Sequence, residues 1–443
     1  METMKESGIQ WIGAIPESWN TKRIKYMTTL KGRIGWQGLT SEEYQDEGAY
    51  LITGVDFANG GIDWENCVHV PMKRWEEAKD IQIQDGDLLI TKDGTIGKVA
   101  IVSNIPGETS LNSGVLRIMP IDGYSKRFLY WVIKSDEFWN WFNYKNAGNS
   151  TIQHLYQGDF AEFLYAFPNY LEQEAIANFL DDYCGKLENI INNLELQIET
   201  LKAYKKSYLC EIVTQGLNSN IPTKESHIEW CELIPSHWET LRMQDIALYK
   251  KGPFGSAVTV DMFIEKGENT YKVYEQKNAI QGDASLGWYY LSYEDYRGLK
   301  DFSVSPGDII VSCAGTIGKC YILSDNIEPG IINQALMRVR INKGFNKSYF
   351  IYLFDVALEY MNAKYSNGSA IKNIPPFSIL KKQNIPVPPM EEQNAIVAEL
   401  DYKIPLIDDI INKKETQLSV MKNHRDSLIF EYVTGKKRVK EVQ

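Results

Sequence analysis

The chain repeats itself. Nearly all of its 443 residues align with one another at an offset near 220, and this constrains the fold more than any single motif, because a sequence repeated in order must fold as a repeated unit. Ile9, Trp11, Ile15, Pro16, Trp19, Thr21 and Arg23 recur as Ile228, Trp230, Ile234, Pro235, Trp238, Thr240 and Arg242. Gly86-Asp87 and Gly94-Thr95-Ile96-Gly97-Lys98 recur as Gly307-Asp308 and Gly315-Thr316-Ile317-Gly318-Lys319. Asn112 and Arg117 return as Asn333 and Arg338, and Ser150 and Ile152 as Ser369 and Ile371. Gln173, Ala175, Ile176, Leu180 and Asp181 match Gln393, Ala395, Ile396, Leu400 and Asp401, and Glu211, Val213 and Thr214 match Glu431, Val433 and Thr434. Residues 30–80 and 250–300, by contrast, share little, so one scaffold carries two different surfaces.

Each copy reads as a globular segment followed by a long helix, which predicts domains at 1–168, 169–216, 217–388 and 389–443. Leu180, Leu187, Leu194, Leu201 and Tyr208 fall every seven residues, with Cys184, Ile191, Ile198, Lys205 and Ile212 between them. Leu400, Ile407, Lys414, Met421 and Leu428 repeat the phase, with Ile404, Ile411, Leu418, Arg425 and Tyr432 interleaved. Such an a/d seam asks for a partner helix rather than a broad core face. Because a whole globular segment lies between the two helices, they can pair antiparallel, with Lys205, Lys414 and Arg425 snorkelling out of the seam. Pro388 and Pro389 ahead of Glu391 and Glu392 suit a helix start, and Gly216 and Gly435 suit the helix ends. In the globular halves, apolar β-branched stretches such as 88–91, 99–102 and 309–312 alternate with Gly, Asp and Asn turns, and helical patterns follow at 127–142 and 347–364. The expected fold class is therefore α+β. Two similar domains, each with a small, mostly antiparallel sheet, are separated by two long helices forming an antiparallel coiled coil, in an internal pseudo-two-fold repeat.

Composition narrows the class. With 44% hydrophobic and 24% charged residues the chain is of globular type, and it has no run of 18 apolar residues to span a bilayer. No secretory signal opens it, so a cytoplasmic location is expected. The six cysteines are scattered and the five histidines lack metal-ligand spacing, which predicts reduced thiols and no metal. The net charge of −11 speaks against a broad nucleic-acid face. It is unevenly spread, however: 16 basic against 22 acidic residues in 1–168, but 18 against 18 in 217–388. DNA binding would have to rest on local patches, with other subunits neutralising part of the phosphate charge.

These motifs resemble the specificity (S) subunits of type I restriction-modification systems, and the resemblance covers the whole chain. It rests on Gly-Asp followed by Gly-Thr-Ile-Gly-Lys, Gly-Asn-Ser-Thr-Ile at 148–152, Pro-x-x-Glu-Glu-Gln at 388–393 and Glu-x-Val-Thr-Gly at 431–435. The first copy departs from it with Asn169-Tyr170-Leu171 before Glu172-Gln173, and with Thr214-Gln215-Gly216. The resemblance implies two target recognition domains, each reading half of a bipartite double-stranded DNA site, and helices that set the spacing. It also implies partners: methyltransferase (M) subunits using S-adenosylmethionine and restriction (R) subunits using ATP and Mg, with no cofactor in this chain.

An independent enzyme is disfavoured. The nearest approach to an amino-methyltransferase loop, Asn373-Ile374-Pro375-Pro376-Phe377, puts Ile374 where a polar acceptor must stand, and neither glycine run has phosphate-loop spacing. The remaining alternative is a coiled-coil adaptor binding only protein, which the acidic balance would suit. Base reading calls for Arg or Lys opposite guanine, Asn or Gln opposite adenine, and apolar contact to thymine. The candidates in divergent stretches are Lys31, Arg33, Trp36 and Gln37 in the first copy, and Lys250, Lys251, Gln276, Lys277 and Asn278 in the second. Asn149, Ser150, Thr151, Ser369 and Lys372 are candidates for phosphate contact, since shared residues position without specifying. The helix-pairing candidates are Leu180, Leu187, Ile191, Leu194, Ile198 and Leu201 against Leu400, Ile407, Ile411, Leu418, Met421 and Leu428.

Overall fold

The computed structural model describes residues 3–33, 39–147, 153–365 and 374–439. It divides into two compact units, Met1–Leu196 with Lys414–Gln443, and Gln197–Lys413. The cut falls within the long helices, so half of each helix belongs to each unit.

The first unit is built on β1 (Thr28–Gly32), β2 (Ala49–Ile52), β3 (Val68–Val70), β4 (Leu88–Thr91), β5 (Val99–Ile101), β6 (Thr109–Leu111) and β7 (Val115–Pro120). Strands β5-β4-β7-β1 form a wholly antiparallel sheet. Strands β6-β2-β3 form a second sheet, in which β6 and β2 run parallel. Helices α1 (Lys126–Lys134) and α2 (Asp136–Lys145) follow, and α3 (Tyr170–Gln215) is the long helix. The second unit repeats this strand for strand. Its strands are β8 (Ala247–Lys251), β9 (Tyr271–Tyr274), β10 (Tyr290–Leu291), β11 (Ile309–Ser312), β12 (Cys320–Ile322), β13 (Gly330–Ile332) and β14 (Leu336–Ile341). They make the sheets β8-β14-β11-β12 and β10-β9-β13, with β9 and β13 parallel. Helix α4 (Gln276–Gln281) stands between β9 and β10, where the first unit has a short hairpin pairing Phe57–Ala58 with Gly61–Ile62. Helices α5 (Lys347–Tyr365) and α6 (Met390–Val433) complete the unit.

Two features depart from the sequence reading. Besides short two-stranded pairs, each unit holds two larger sheets rather than one, and the three-stranded one contains a parallel pair. The single helical pattern at 127–142 is broken in two, because Ser135 is extended and its hydroxyl accepts from the Glu137 amide, capping a new helix. In the second unit α5 runs unbroken.

The shared motifs are structural locks. Asp87 accepts from the Gln84 amide and pairs with Arg117 at 2.9 Å. Asp308 accepts from the Ser305 amide, yet it pairs with Arg340 at 2.7 Å, two residues beyond the Arg338 that aligns with Arg117. In the Gly-Thr-Ile-Gly turns, Thr91 and Ser312 hydroxyls each accept from the backbone at the closing lysine, Lys98 and Lys319, at 3.0 Å. Gly97 has φ +78°, and a β-carbon there would meet Trp139 and Phe138 at 2.8 and 2.9 Å. Only glycine fits both the dihedral and the aromatic wall.

The helix starts are fastened the same way in both units. Gln173 accepts from the Ser125 amide and donates to the Pro168 carbonyl, and Gln393 does so with Asn346 and Pro388, all at 2.8–2.9 Å. The buried indoles of Trp19 and Trp238 donate to Glu172 and Glu392. Seam residues at the helix ends enter the globular cores: Leu180, Leu187 and Leu428 pack with Trp19 and Phe128, and Ile212, Leu400 and Ile404 with Trp238 and Tyr349.

Between those ends the two helices pair antiparallel. In the first unit Glu188 meets Arg425 at 2.9 Å and Glu195 meets Lys422 at 2.6 Å, while Phe179 packs on Tyr432. In the second, Lys205 meets Asp408 at 2.6 Å, and the Tyr208 hydroxyl donates to Glu399. Ile191, Leu194, Ile198, Ile407 and Ile411 are buried along the seam, and Leu201, Leu418 and Met421 are half-buried. Lys205 and Arg425 thus leave the apolar line by pairing with acids of the opposite helix, and Lys414 is half-buried. Helix α6 continues through Pro405, which no periodicity argument had flagged. All six cysteines are free, and burial pushes the Cys184 and Cys231 thiols up to about 11, away from the reactive thiolate. No group of potential metal ligands occurs among the described residues, and no helix there is long and apolar enough to cross a membrane.

Candidate nucleic-acid interface

The divergent stretches fold as the outer sheets and the segments joining their strands. In the first unit, 39–80 supplies β2, β3 and the hairpin between them. In the second, 252–300 supplies β9, α4 and β10. Because they hang on frameworks of the same strand order, each candidate side chain has a counterpart position in the other unit.

Two candidates are not surface groups at all. Arg33 is 6% exposed. Its guanidinium donates to the Leu111 carbonyl at 2.7 Å and to the Ser110 hydroxyl at 3.2 Å, tying β1 to β6, and burial, followed by the nearby Arg74, pulls its pKa down. Asn278 is fully buried. Its carbonyl oxygen accepts from the Glu275 amide at 2.7 Å, and its amide donates to the carbonyls of Asp283 and Leu286, both at 2.8 Å. Both side chains are thus engaged inside the protein, on partners of their own unit.

Lys31 and Lys250 occupy equivalent places. Each lies opposite the shared arginine in the sheet register, Lys31 across from Arg117 and Lys250 across from Arg338. Each also faces an aspartate on an equivalent short turn, Asp80 at 3.6 Å and Asp301 at 3.4 Å. An ion pair built twice is a feature of the shared scaffold. Gln276, half-buried, accepts from the Ala314 amide at 3.3 Å and so fastens α4 to the Gly-Thr-Ile-Gly turn. Lys251 is exposed at the end of β8. Trp36, Gln37, Asn149, Ser150, Thr151, Ser369 and Lys372 lie outside the described residues.

Lys277, half-buried, sits on α4, which the first unit lacks. Its ammonium lies 4.6 Å from the centre of the Trp288 indole and 2.8 Å from Glu275. Trp288 is 71% exposed. The search for base-edge donors passed over it, although Gly287-Trp288-Tyr289-Tyr290 is an aromatic run inside a divergent stretch. In the first unit, by contrast, Trp64 is half-buried and donates to the Ser103 carbonyl at 2.9 Å.

The molecule is therefore a duplicated α+β scaffold, with helices paired in a coiled coil and unlike segments between the strands of its three-stranded sheets. The family model of the type I restriction modification DNA specificity domain matches it twice, over residues 16–200 and 235–420. These matches cover well over half of the sequence, and the chain belongs to the family of type I restriction-modification specificity subunits. It is 25% identical over 450 residues to the type I restriction enzyme MjaVIII specificity subunit of Methanocaldococcus jannaschii, covering 97% of this chain and 95% of that one. It is 23% identical over 439 residues to the EcoBI specificity subunit of Escherichia coli, covering 97% and 88%. Among solved structures, a chain from work on complex assembly and conformational transition of the type I R-M system shares the fold, with a TM-score of 0.67 at 14% identity over 96% of this chain and 99% of that one.

Proposed function

We propose that each globular unit reads one half of a bipartite DNA site, and that the paired helices hold the half-sites at a fixed separation and dock the M and R subunits. The chain itself carries out no chemistry in this reading. S-adenosylmethionine belongs to the M subunits and ATP with Mg to the R subunits. The observation that carries the proposal is the combination of a strand-for-strand repeated framework with unlike outer segments: one geometry presented twice, with two different chemical faces, is what two unlike half-sites demand. The test exchanges residues 1–168 for the equivalent unit of another specificity subunit and maps methylated DNA sites in cells carrying the matching M subunit. One half of the recognised sequence should change and the other should persist. A change in both halves, or in neither, would overturn the two-reader scheme.

A further inference from the structure

We propose that the Gly-Thr-Ile-Gly-Lys turn is the phosphate anchor of each unit: the amides at its tip and the closing Lys98 or Lys319 hold the DNA backbone beside the bases that the divergent segments read. The inference rests on the half-site reading above and adds the contact that both half-sites have in common.

Five consecutive identities make this the longest run shared by the two copies, and packing accounts for only part of it. Gly97 and Gly318 both have φ +78°, and they abut Phe138 and Trp139 in one unit and Leu358 in the other. Ile96 and Ile317 are half-buried. The rest of the run is exposed, at Gly94, Thr95 and Lys98 and again at Gly315, Thr316 and Lys319. The Thr95 hydroxyl donates to the Gly54 carbonyl at 3.1 Å. Thr316 and the two lysines have no side-chain hydrogen bond or ion pair among the described residues, although the Asp355 carboxylate lies within electrostatic reach of Lys319. Lys31 and Lys250, by contrast, each face an aspartate. An exposed, unpaired lysine kept in both copies, while the surface around it diverges, calls for a ligand that both copies share.

The tip of the turn suits an anion. The amides of 94–96 and of 315–317 have no acceptor among the described residues. Gly94 and Gly315 have φ +70° and +65°, and nothing lies within 4 Å of the place a β-carbon would take, so the backbone there is bare to an approaching group. Successive unbonded amides in a turn with a left-handed residue form an anion-binding concavity, and the closing ammonium adds its charge.

Placement then favours DNA over a protein. Thr95 fastens the first turn to the divergent stretch through Gly54, and the Ala314 amide, one residue ahead of Gly315, donates to Gln276 on α4 at 3.3 Å. Each turn therefore adjoins the segment assigned to base reading. Phosphate contacts position a protein without specifying sequence, which is what a shared turn can supply beside unlike segments. An M subunit bound by both copies would also need a shared surface, but it gains nothing from contact beside the segments that differ.

The test uses the chain assembled with its M subunits. Lys98→Gln, Lys319→Gln, the double glutamine variant and the two Lys→Arg variants are compared with the parent, with binding measured from about 50 to 200 mM salt. The duplexes are the cognate site and the site with one half or the other scrambled. A phosphate contact carries about 0.9 of the slope of log affinity against log salt. Each glutamine should therefore shallow the slope by roughly 1, and both together by roughly 2, with affinity at about 0.15 M salt falling roughly 5-fold and 30-fold. The loss should be equal on every duplex, and arginine should keep the parental slope. A slope unmoved by the double variant would overturn the anchor, and a loss confined to the cognate duplex would overturn it in favour of base reading. Failure of the glutamine variants to assemble with M subunits at an unchanged melting temperature would overturn it in favour of a protein contact, and a lowered melting temperature would assign the lysines to the scaffold instead. All four results leave the half-site reading standing. That reading falls if the parent binds the cognate and scrambled duplexes alike, an outcome independent of the salt slopes.

Discussion

The helix pair invites a length test that the ion pairs make specific. Glu195 faces Lys422 at 2.6 Å in an antiparallel arrangement, so duplicating residues 188–194 after Leu194 and residues 416–422 after Lys422 adds one heptad to each helix at matching points. The seam keeps its phase, and every added a/d residue has a partner. Seven residues at about 1.5 Å each lengthen the rod by roughly 10.5 Å, close to three base pairs at about 3.4 Å per step. Three base pairs also rotate the second half-site by roughly 100° at about 10.5 base pairs per turn. Methylation should move to sites whose gap is three base pairs longer, with unchanged half-sites and a reduced rate. Adding the heptad to α3 alone should cost more, because a second copy of Ile191 and of Leu194 then has no partner, at about 1.5–3 kcal/mol for each exposed side chain. Methylome sequencing of the double insertion decides the matter. If methylation persists at the original gap with parental efficiency, the helices do not set the distance.

Two further predictions concern the scaffold. Glu137, fully buried at the start of α2, has a carboxyl that burial holds well above its usual range. An acid kept protonated by the fold is least costly below the unfolded pKa of about 4.3, and it costs up to about 1.4 kcal/mol more for each pH unit above that, until the folded pKa is reached. The stability of Glu137→Gln relative to the parent should therefore rise in melts from pH 4 to pH 8, and a difference that does not change with pH would refute the burial argument. Gly97→Ala should lower the unfolding free energy by about 2–5 kcal/mol, combining a left-handed dihedral with collision against Trp139 and Phe138. Gly94→Ala, with φ +70° and open space around it, should lose only about 1–2 kcal/mol, and equal losses in urea titrations would rule out the aromatic wall as the cause.

Periodicity and duplication were legible because they are one-dimensional properties. The seam at Ile191, Leu194, Ile198, Ile407 and Ile411 is where the heptads put it, and the shared Gly-Thr-Ile-Gly turns are turns. The parallel pairing of β2 with β6 was not legible, since turn residues report only hairpins between neighbours, and these strands are separated by the whole of β3–β5. The base-reading candidates divided by a property that residue type does not carry. Arg33 and Asn278 have donor patterns suited to guanine and adenine, yet both are buried, Arg33 just past the end of β1 on the Leu111 carbonyl and the Ser110 hydroxyl, and Asn278 on α4 against the Asp283 and Leu286 carbonyls. The exposure of Trp288 was illegible for the opposite reason: a tryptophan in a sequence does not say whether its indole faces the core.

The acidic balance, which first argued against nucleic acid, becomes informative once the ion pairs are known. Lys31, Lys205, Lys250, Lys422 and Arg425 each face a carboxylate within the protein, so a phosphate approaching any of them would compete with an internal partner. Electrostatic grip can be the same for every target, and residues that supply it need not change when the target does; discrimination has to change, and under the proposed function it falls to the divergent segments 39–80 and 252–300, on a framework whose Gly-Thr-Ile-Gly turns and helix starts are fastened the same way in both units.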